Sequence, residues 1–230
     1  MTAKEPETES VETAKPQSLQ RKIFDNVSTM ALAVGLALGV RWFVVEPRFI
    51  PSSSMEPTLQ IGDHLFIDKI SLRLRSPQRG EIVIFNPPQS PCVGDSSQVY
   101  IKRVIGLPGD RLSIREGKVF VNGKALREPY MAAPIEYTMP DTGTKPRQLI
   151  EGEPCFIPQP VLVDADRNLS FVVPPETYWV MGDNRNNSQD SHAWGFLPAE
   201  NLVGRAIFRW LPLGARMGPF PLPDYDAATP

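Results

Sequence analysis

The chain has 230 residues, 41% of them hydrophobic and 22% charged, with 24 Lys+Arg against 26 Asp+Glu. That length suits one globular domain with an anchor or a small insertion, the apolar fraction supports a real core, and a formal net charge of −2 makes no general electrostatic case for nucleic acid. With two His (His64, His192), two Cys (Cys92, Cys155) and neither a Cys-x-x-Cys nor a His-x-x-x-His pair, an ordinary zinc site and a disulfide framework are both disfavoured, although one bridge stays open.

Residues 1–20 are polar, mixed in charge and interrupted by Pro6 and Pro16, the composition of a disordered tail. Val27 to Val40 then carries no charge, and Asn26 to Val45 makes twenty residues, about 30 Å as a helix, which matches a bilayer core. Arg41 lies near the end, where its side chain can snorkel to the headgroups, and Arg21 and Lys22 favour a cytoplasmic N-terminus. A buried core helix and a cleaved signal peptide, with Ala37-Leu38-Gly39 as its small-x-small site, are the competing readings of this segment. The length of the leading tail and the apolar run beyond that site favour a permanent anchor.

After Pro47 the chain reads as all-β. Gly80 to Phe85, Val99 to Ile105, Leu112 to Ile114, Lys118 to Val121, Thr177 to Met181 and Leu202 to Trp210 are strand candidates, with Glu116-Gly117 and Asn122-Gly123 as turns. No later segment sustains a helical period. Residues 128–176 are proline-rich with little alternation and read as an irregular insertion.

Three stretches carry candidate chemistry. Ile50-Pro51-Ser52-Ser53-Ser54-Met55-Glu56-Pro57-Thr58-Leu59 is a hydroxyl cluster just beyond the anchor, or simply a rigid turn. Tyr100-Ile101-Lys102-Arg103 places two cations in an apolar strand. Alternation points them to opposite faces, so in a central strand one must approach the core, where a lysine loses its charge more easily and becomes a competent base. In an edge strand both would be solvated. Gly182 to Ser191 is a dense run of carboxylates, amides and hydroxyls, either a hydrophilic loop or a buried hydrogen-bond network.

Together these stretches resemble the bacterial type I signal peptidases, membrane-bound Ser-Lys proteases. The matching segments are Pro51 to Leu59, Gly62-Asp63 through Lys69, Arg79 to Val83, Tyr100 through Asp110, and Gly182 through Gly195, in the family's order. The one-anchor layout is most similar to the cyanobacterial, thylakoid and Gram-positive forms. The resemblance implies a mainly β fold, an antiparallel β-sheet catalytic domain behind one N-terminal transmembrane helix. It divides the chain into a cytoplasmic tail (1–25), the anchor (26–45), a catalytic β core (46–110 and 177–216), a hairpin plus irregular inserted subdomain (111–176) and a C-terminal tail (217–230).

The same resemblance makes Ser54 the nucleophile and Lys102 its general base, with the Ser54 N–H and the Ser52 hydroxyl as the oxyanion hole. Ser188 would orient the lysine, Asp183 would pair with Arg103, and Asp190 would support the site. Where the family often has Asp-Ser-Arg, this chain has Asp190-Ser191-His192, so Asp190 lacks its usual partner. Ile50, Pro51, Met55, Leu59, Tyr100 and Ile101 are the apolar candidates for substrate pockets, unless several fill the core. Trp210, Leu211, Leu213 and Phe220 are candidates for membrane contact. No metal or cofactor is implied.

The expected partners are signal peptides with small residues at the first and third positions before the cut, bound as an added strand, the lipid bilayer, and the translocation machinery. Nucleic acid is not expected. The expected location is the plasma or thylakoid membrane, single-pass, with the catalytic domain on the trans side, where Cys92 and Cys155 could bridge. The competing functions are a self-cleaving Ser-Lys repressor-type protease and a non-catalytic membrane-tethered β module of the secretion machinery.

Overall fold

The computed structural model describes residues 19–90, 93, 96–140, 148–150, 153–154, 161–164 and 167–225, in two units, 1–42 and 43–230. The first holds all but the last residue of helix α1 (Leu19–Phe43). It begins seven residues before the expected Asn26, because Leu19, Gln20, Arg21 and Lys22 are good helix formers. Its Phe24, Met30, Leu32 and Leu36 are exposed. Among the described residues no helix is long and apolar enough to cross a membrane. The helix also ends before the expected Val45, which opens β1 (Val45–Phe49): two β-branched residues followed two positions later by Pro47 favour extended backbone.

The second unit is β-rich and its sheets are antiparallel. Strands β2 (His64–Asp68), β3 (Ile82–Phe85), β4 (Tyr100–Gly106), β5 (Arg111–Arg115), β6 (Lys118–Val121) and β7 (Lys124–Ala125) follow in order, with a one-turn helix α2 (Ser71–Leu74) after β2. The turns after β5 and β6 fall on Glu116-Gly117 and Asn122-Gly123, whose positive φ angles match tight hairpins. Short β8 (Gln148–Ile150) and β9 (Glu153–Pro154) pair with each other. The remaining elements are β10 (Leu162–Val163), β11 (Leu169–Val172), β12 (Thr177–Met181), the one-turn α3 (Ser191–Trp194), β13 (Leu197–Pro198), β14 (Leu202–Leu211) and β15 (Gly218–Pro219).

The larger sheet has the order β1-β2-β14-β3-β4-β12-β13, with β15 added to β14. The second runs β10-β11-β5-β6-β7. Part of the segment expected to be irregular therefore forms a sheet: Phe171 of β11 pairs with Leu112 of β5. Local alternation between prolines could not reveal a partner nearly sixty residues away. Ile105, Trp179 and Met181 of the larger sheet pack against Leu112, Ile114, Val119 and Phe171 of the smaller one. On the larger sheet, Val83, Phe85, Val104 and Val180 pack with Trp194, while Met55, Leu59, Leu65, Ile67 and Ile82 form a third cluster.

β4 is central. β3 pairs along Tyr100–Arg103 on one side, and β12 pairs with Arg103, Val104 and Gly106 on the other. Lys102 shares a face with Tyr100 and Val104, and Arg103 with Ile101 and Ile105. Both cations are buried, whereas the sequence reasoning sent only one toward the core; apolar clusters cover both faces of this strand. Trp179, fully buried beside Phe171 and Phe196, joins the strand next to β4 to the second sheet. Trp179→Ala is expected to cost about 3–5 kcal/mol in denaturant unfolding.

Candidate active site

Ser54 sits on the turn-rich connection between β1 and β2. Met55 and Leu59, either side of that turn, are buried in the core, and Leu59 N–H donates to the Met55 carbonyl at 2.9 Å. Ile50 N–H and Gly62 N–H close the base of the loop by bonding to Asp63 O and Ile50 O, both at 2.9 Å. Buried Asp63 accepts from the Arg216 guanidinium and from Gln60 N–H, and Arg209 donates to Thr58 O at 2.7 Å. With its apolar residues inward and its carbonyls tied down, the loop presents the serines outward.

Lys102 Nζ lies 2.8 Å from Ser54 Oγ and donates to Ile101 O at 2.9 Å. Burial pushes the Lys102 pKa down to about 8 from 10.5, against a raising influence of Asp190 and then Asp183. A neutral amine here donates one N–H to the Ile101 carbonyl and offers its lone pair to the serine hydroxyl, the arrangement of an activated nucleophile and its base. Ser52 Oγ is 3.4 Å from Ser54 Oγ.

Both serines and the lysine line a groove of about 290 Å³, with Pro51, Gln98, Val99, Tyr100, Ile101 and Gln189. Strand β12 pairs with β4 from Gly106 as far as Arg103. A larger cavity of about 450 Å³ beside Glu116 and Gly117 has no serine, threonine or cysteine in its lining.

The expected residues divide clearly. Pro51, Tyr100 and Ile101 line the groove, whereas Ile50, Met55 and Leu59 are core residues, each at most 2% exposed. Asp183 accepts from Arg103 Nε at 2.8 Å and Nη2 at 2.6 Å, and Arg103 also donates to Gly80 O. Asp190 accepts from Gly182 N–H at 2.8 Å and meets His192 Nδ1 at 2.6 Å. Burial raises the Asp190 pKa, but His192, the Gly182 N–H and the nearby Ser188 outweigh it and hold the carboxyl below its usual range. Ser188 Oγ is buried, forms no well-shaped hydrogen bond and makes none to Lys102. It lies instead where a side chain on Gly182 would collide: a Cβ there would be 2.3 Å from Ser188 Oγ and 2.4 Å from Ser54 O. His64 packs its ring between Phe49 and Trp210. Of the residues expected at a membrane surface, Leu213 is exposed, while Trp210 stacks on Phe66 and Phe220 packs on the core. Cys92 and Cys155 lie outside the described residues.

Sequence reasoning missed the groups that hold the two loops together. Asn184 N–H donates to Ser54 O at 3.1 Å, its amide to Ser53 O at 3.2 Å, and Asn187 Nδ2 to Ser53 Oγ at 3.2 Å. Behind them Arg185 donates to Gly182 O and is clamped by Glu128, while the Arg103 guanidinium stacks 4.0 Å from the Tyr130 ring centre. The polar run signalled a network, but nothing local marked Glu128 and Tyr130 in a proline-rich stretch.

The family described as "Signal peptidase, peptidase S26" matches residues 23–211. The chain is 49% identical over 185 residues to a probable signal peptidase I-2 of Synechocystis, covering 80% of this chain and 72% of that protein. It is 38% identical to the signal peptidase I of Leptolyngbya laminosa, covering 92% and 93% of the two chains. It is also 38% identical to thylakoidal processing peptidase 1 of Arabidopsis thaliana, over 78% of this chain and 46% of that one. A β domain that brings a serine hydroxyl to a buried lysine, and a match over most of the chain's length, lead to one assignment: the chain belongs to the signal peptidase (peptidase S26) family.

Proposed function

We propose that the protein is a serine endopeptidase that removes N-terminal signal peptides from translocated preproteins. The observation that carries this reading is the 2.8 Å contact between Lys102 Nζ and Ser54 Oγ at the wall of a groove. Lys102, neutral, takes the proton as Ser54 Oγ attacks the carbonyl before the scissile bond. The Ser54 N–H and Ser52 hydroxyl receive the oxyanion. The lysine then returns its proton to the leaving amine, and its neutral form activates water to hydrolyse the acyl-enzyme. Asp183 with Arg103, and Asp190, fix the loop that backs the dyad. Ser188 contributes by packing against Gly182.

The substrate lies extended in the groove beside Ile101 and Lys102, with Pro51, Tyr100 and Ile101 at its side chains, and small residues at the first and third positions before the cut suit a groove of about 290 Å³. The apolar segment from Asn26 to Val45, most of it within α1, is the single anchor, its N-terminus cytoplasmic and the catalytic unit on the trans side. Anchoring confines enzyme and emerging substrate to one surface and raises their effective concentration. The bilayer and the translocation machinery are then its surroundings.

Ser54→Ala and Lys102→Ala are each expected to slow cleavage of a preprotein with an Ala-x-Ala site by at least about a thousandfold; cleavage at the wild-type rate by both would refute the dyad. In the wild type, kcat/KM should fall about tenfold per pH unit below about pH 8, as the lysine becomes protonated. The buried amine also opposes folding. Its pKa is lower folded than unfolded, so the cost is full below about pH 8 and fades as pH rises toward 10.5. Lys102→Met should therefore be inactive yet more stable by about 1–3 kcal/mol at pH 7, with the gain disappearing toward pH 10.5 in denaturant titrations.

A further inference from the structure

Asn184 makes the contact that fixes the nucleophile's backbone. Its N–H donates to Ser54 O at 3.1 Å, and its side-chain amide donates to Ser53 O at 3.2 Å. The residues on either side of it, Asp183 and Arg185, are buried and charged. Each is clamped by a partner far away in the chain. Asp183 accepts from Nε and Nη2 of Arg103 on β4, at 2.8 and 2.6 Å. Arg185 donates through Nη1 to Glu128 at 3.0 Å and through Nε to Gly182 O at 2.9 Å.

Tyr130 touches both clamps. The central carbon of the Arg103 guanidinium lies 4.0 Å from the centre of the Tyr130 ring. The Tyr130 hydroxyl donates to Glu128 Oε1 at 2.8 Å and accepts from Arg185 Nη2 at 3.5 Å. Tyr225, from the segment after β15, meets the same hydroxyl at 3.2 Å. A guanidinium stacked on an aromatic face keeps its planar, two-pronged grip on a carboxylate in one orientation. Among the described residues the groove that holds the dyad is lined without Tyr130. Its influence on the reaction therefore passes through the clamps and not through a peptide bound in that groove.

We infer that Tyr130 is a positioning residue for the reaction: with its ring on Arg103 and its hydroxyl on Glu128, it locks Asp183 and Arg185, and so holds Asn184 against the Ser54 carbonyl with Ser54 Oγ in line with Lys102 Nζ. The inference rests on the Ser54–Lys102 reading. Without Tyr130 both ion pairs remain, but the surface that orients them is gone, and the Asp183-Asn184-Arg185 turn is free to shift. A displacement of about 1 Å at reacting atoms can cost about a hundredfold in rate, so a partial loosening of this turn is felt in the chemical step.

The test is single-turnover cleavage of an Ala-x-Ala preprotein by the full-length protein, with circular dichroism to establish folding. Tyr130→Phe keeps the ring on Arg103 and loses the bond to Glu128, whereas Tyr130→Leu loses both. The maximal rate should fall at least about threefold for Tyr130→Phe and at least about tenfold for Tyr130→Leu, while the enzyme concentration that gives half the maximal rate stays within about twofold. Asn184→Gly removes the side chain and slackens the turn through which Tyr130 acts, so in that background each Tyr130 loss should shrink to less than half its factor. A residue that only stabilises the fold would leave the rate per folded molecule unchanged. The inference is overturned by a folded Tyr130→Leu at the wild-type maximal rate, by a loss seen only in the half-saturating concentration, or by equal losses in the two backgrounds. If Tyr130→Leu does not fold, Tyr130→Phe is read by the same criteria. Ser54→Ala, run alongside, separates the two readings: an active Ser54→Ala refutes the dyad itself, whereas an inactive one beside fully active Tyr130 variants refutes only the role of Tyr130.

Discussion

An amine kept out of water is the constraint on which the rest of this structure depends. Lys102 is buried because β4 is flanked by β3 and β12 and covered by apolar side chains on both faces. Burial drives its pKa down to about 8 even though two nearby carboxylates pull the other way. Without the desolvation, an amine near its ordinary pKa of about 10.4 would be almost entirely protonated at neutral pH and unable to act as a base. The fold spends stability on one side chain to create that base.

The remaining polar groups follow from the same need. A carboxylate close to a catalytic lysine would hold the proton on it, so the charge of each one must be offset. Arg103 does this for Asp183, and its guanidinium is in turn satisfied by Gly80 O and packed over Tyr130. Asp190 is stabilised by the Gly182 N–H and by His192. Gly182 is where these demands meet: its N–H serves Asp190, its carbonyl serves Arg185, and its missing side chain leaves room for Ser188 and the Ser54 carbonyl. Asn184 and Asn187 then tie that loop to the serine turn, so nucleophile and base are positioned by one hydrogen-bonded unit.

Much of this was legible in the chain. The β3, β4, β12 and β14 runs declare themselves by β-branched composition, and the Glu116-Gly117 and Asn122-Gly123 turns by residue types that tolerate positive φ. The serine cluster, the lysine in an apolar strand and the polar run stood out because each breaks the pattern around it. What stayed hidden depends on long-range pairing. β11 has no local signature and is recognised only by its pairing with β5, and Glu128 acquires meaning only beside Arg185. Composition could not say which apolar residues near Ser54 face the groove: Met55 and Leu59 fill the core, while Pro51 and Ile101 stay at the surface of the site.

The central claim is that one lysine is neutral, or nearly so, at a pH where the others are charged. A ¹³C NMR titration of the full-length protein with ¹³Cε-labelled lysine, assigned with Lys102→Met, measures this directly. One resonance, absent from the variant, should titrate near pH 8 while the rest titrate at about 10 or above. A Lys102 resonance that titrates together with the other lysines would contradict it.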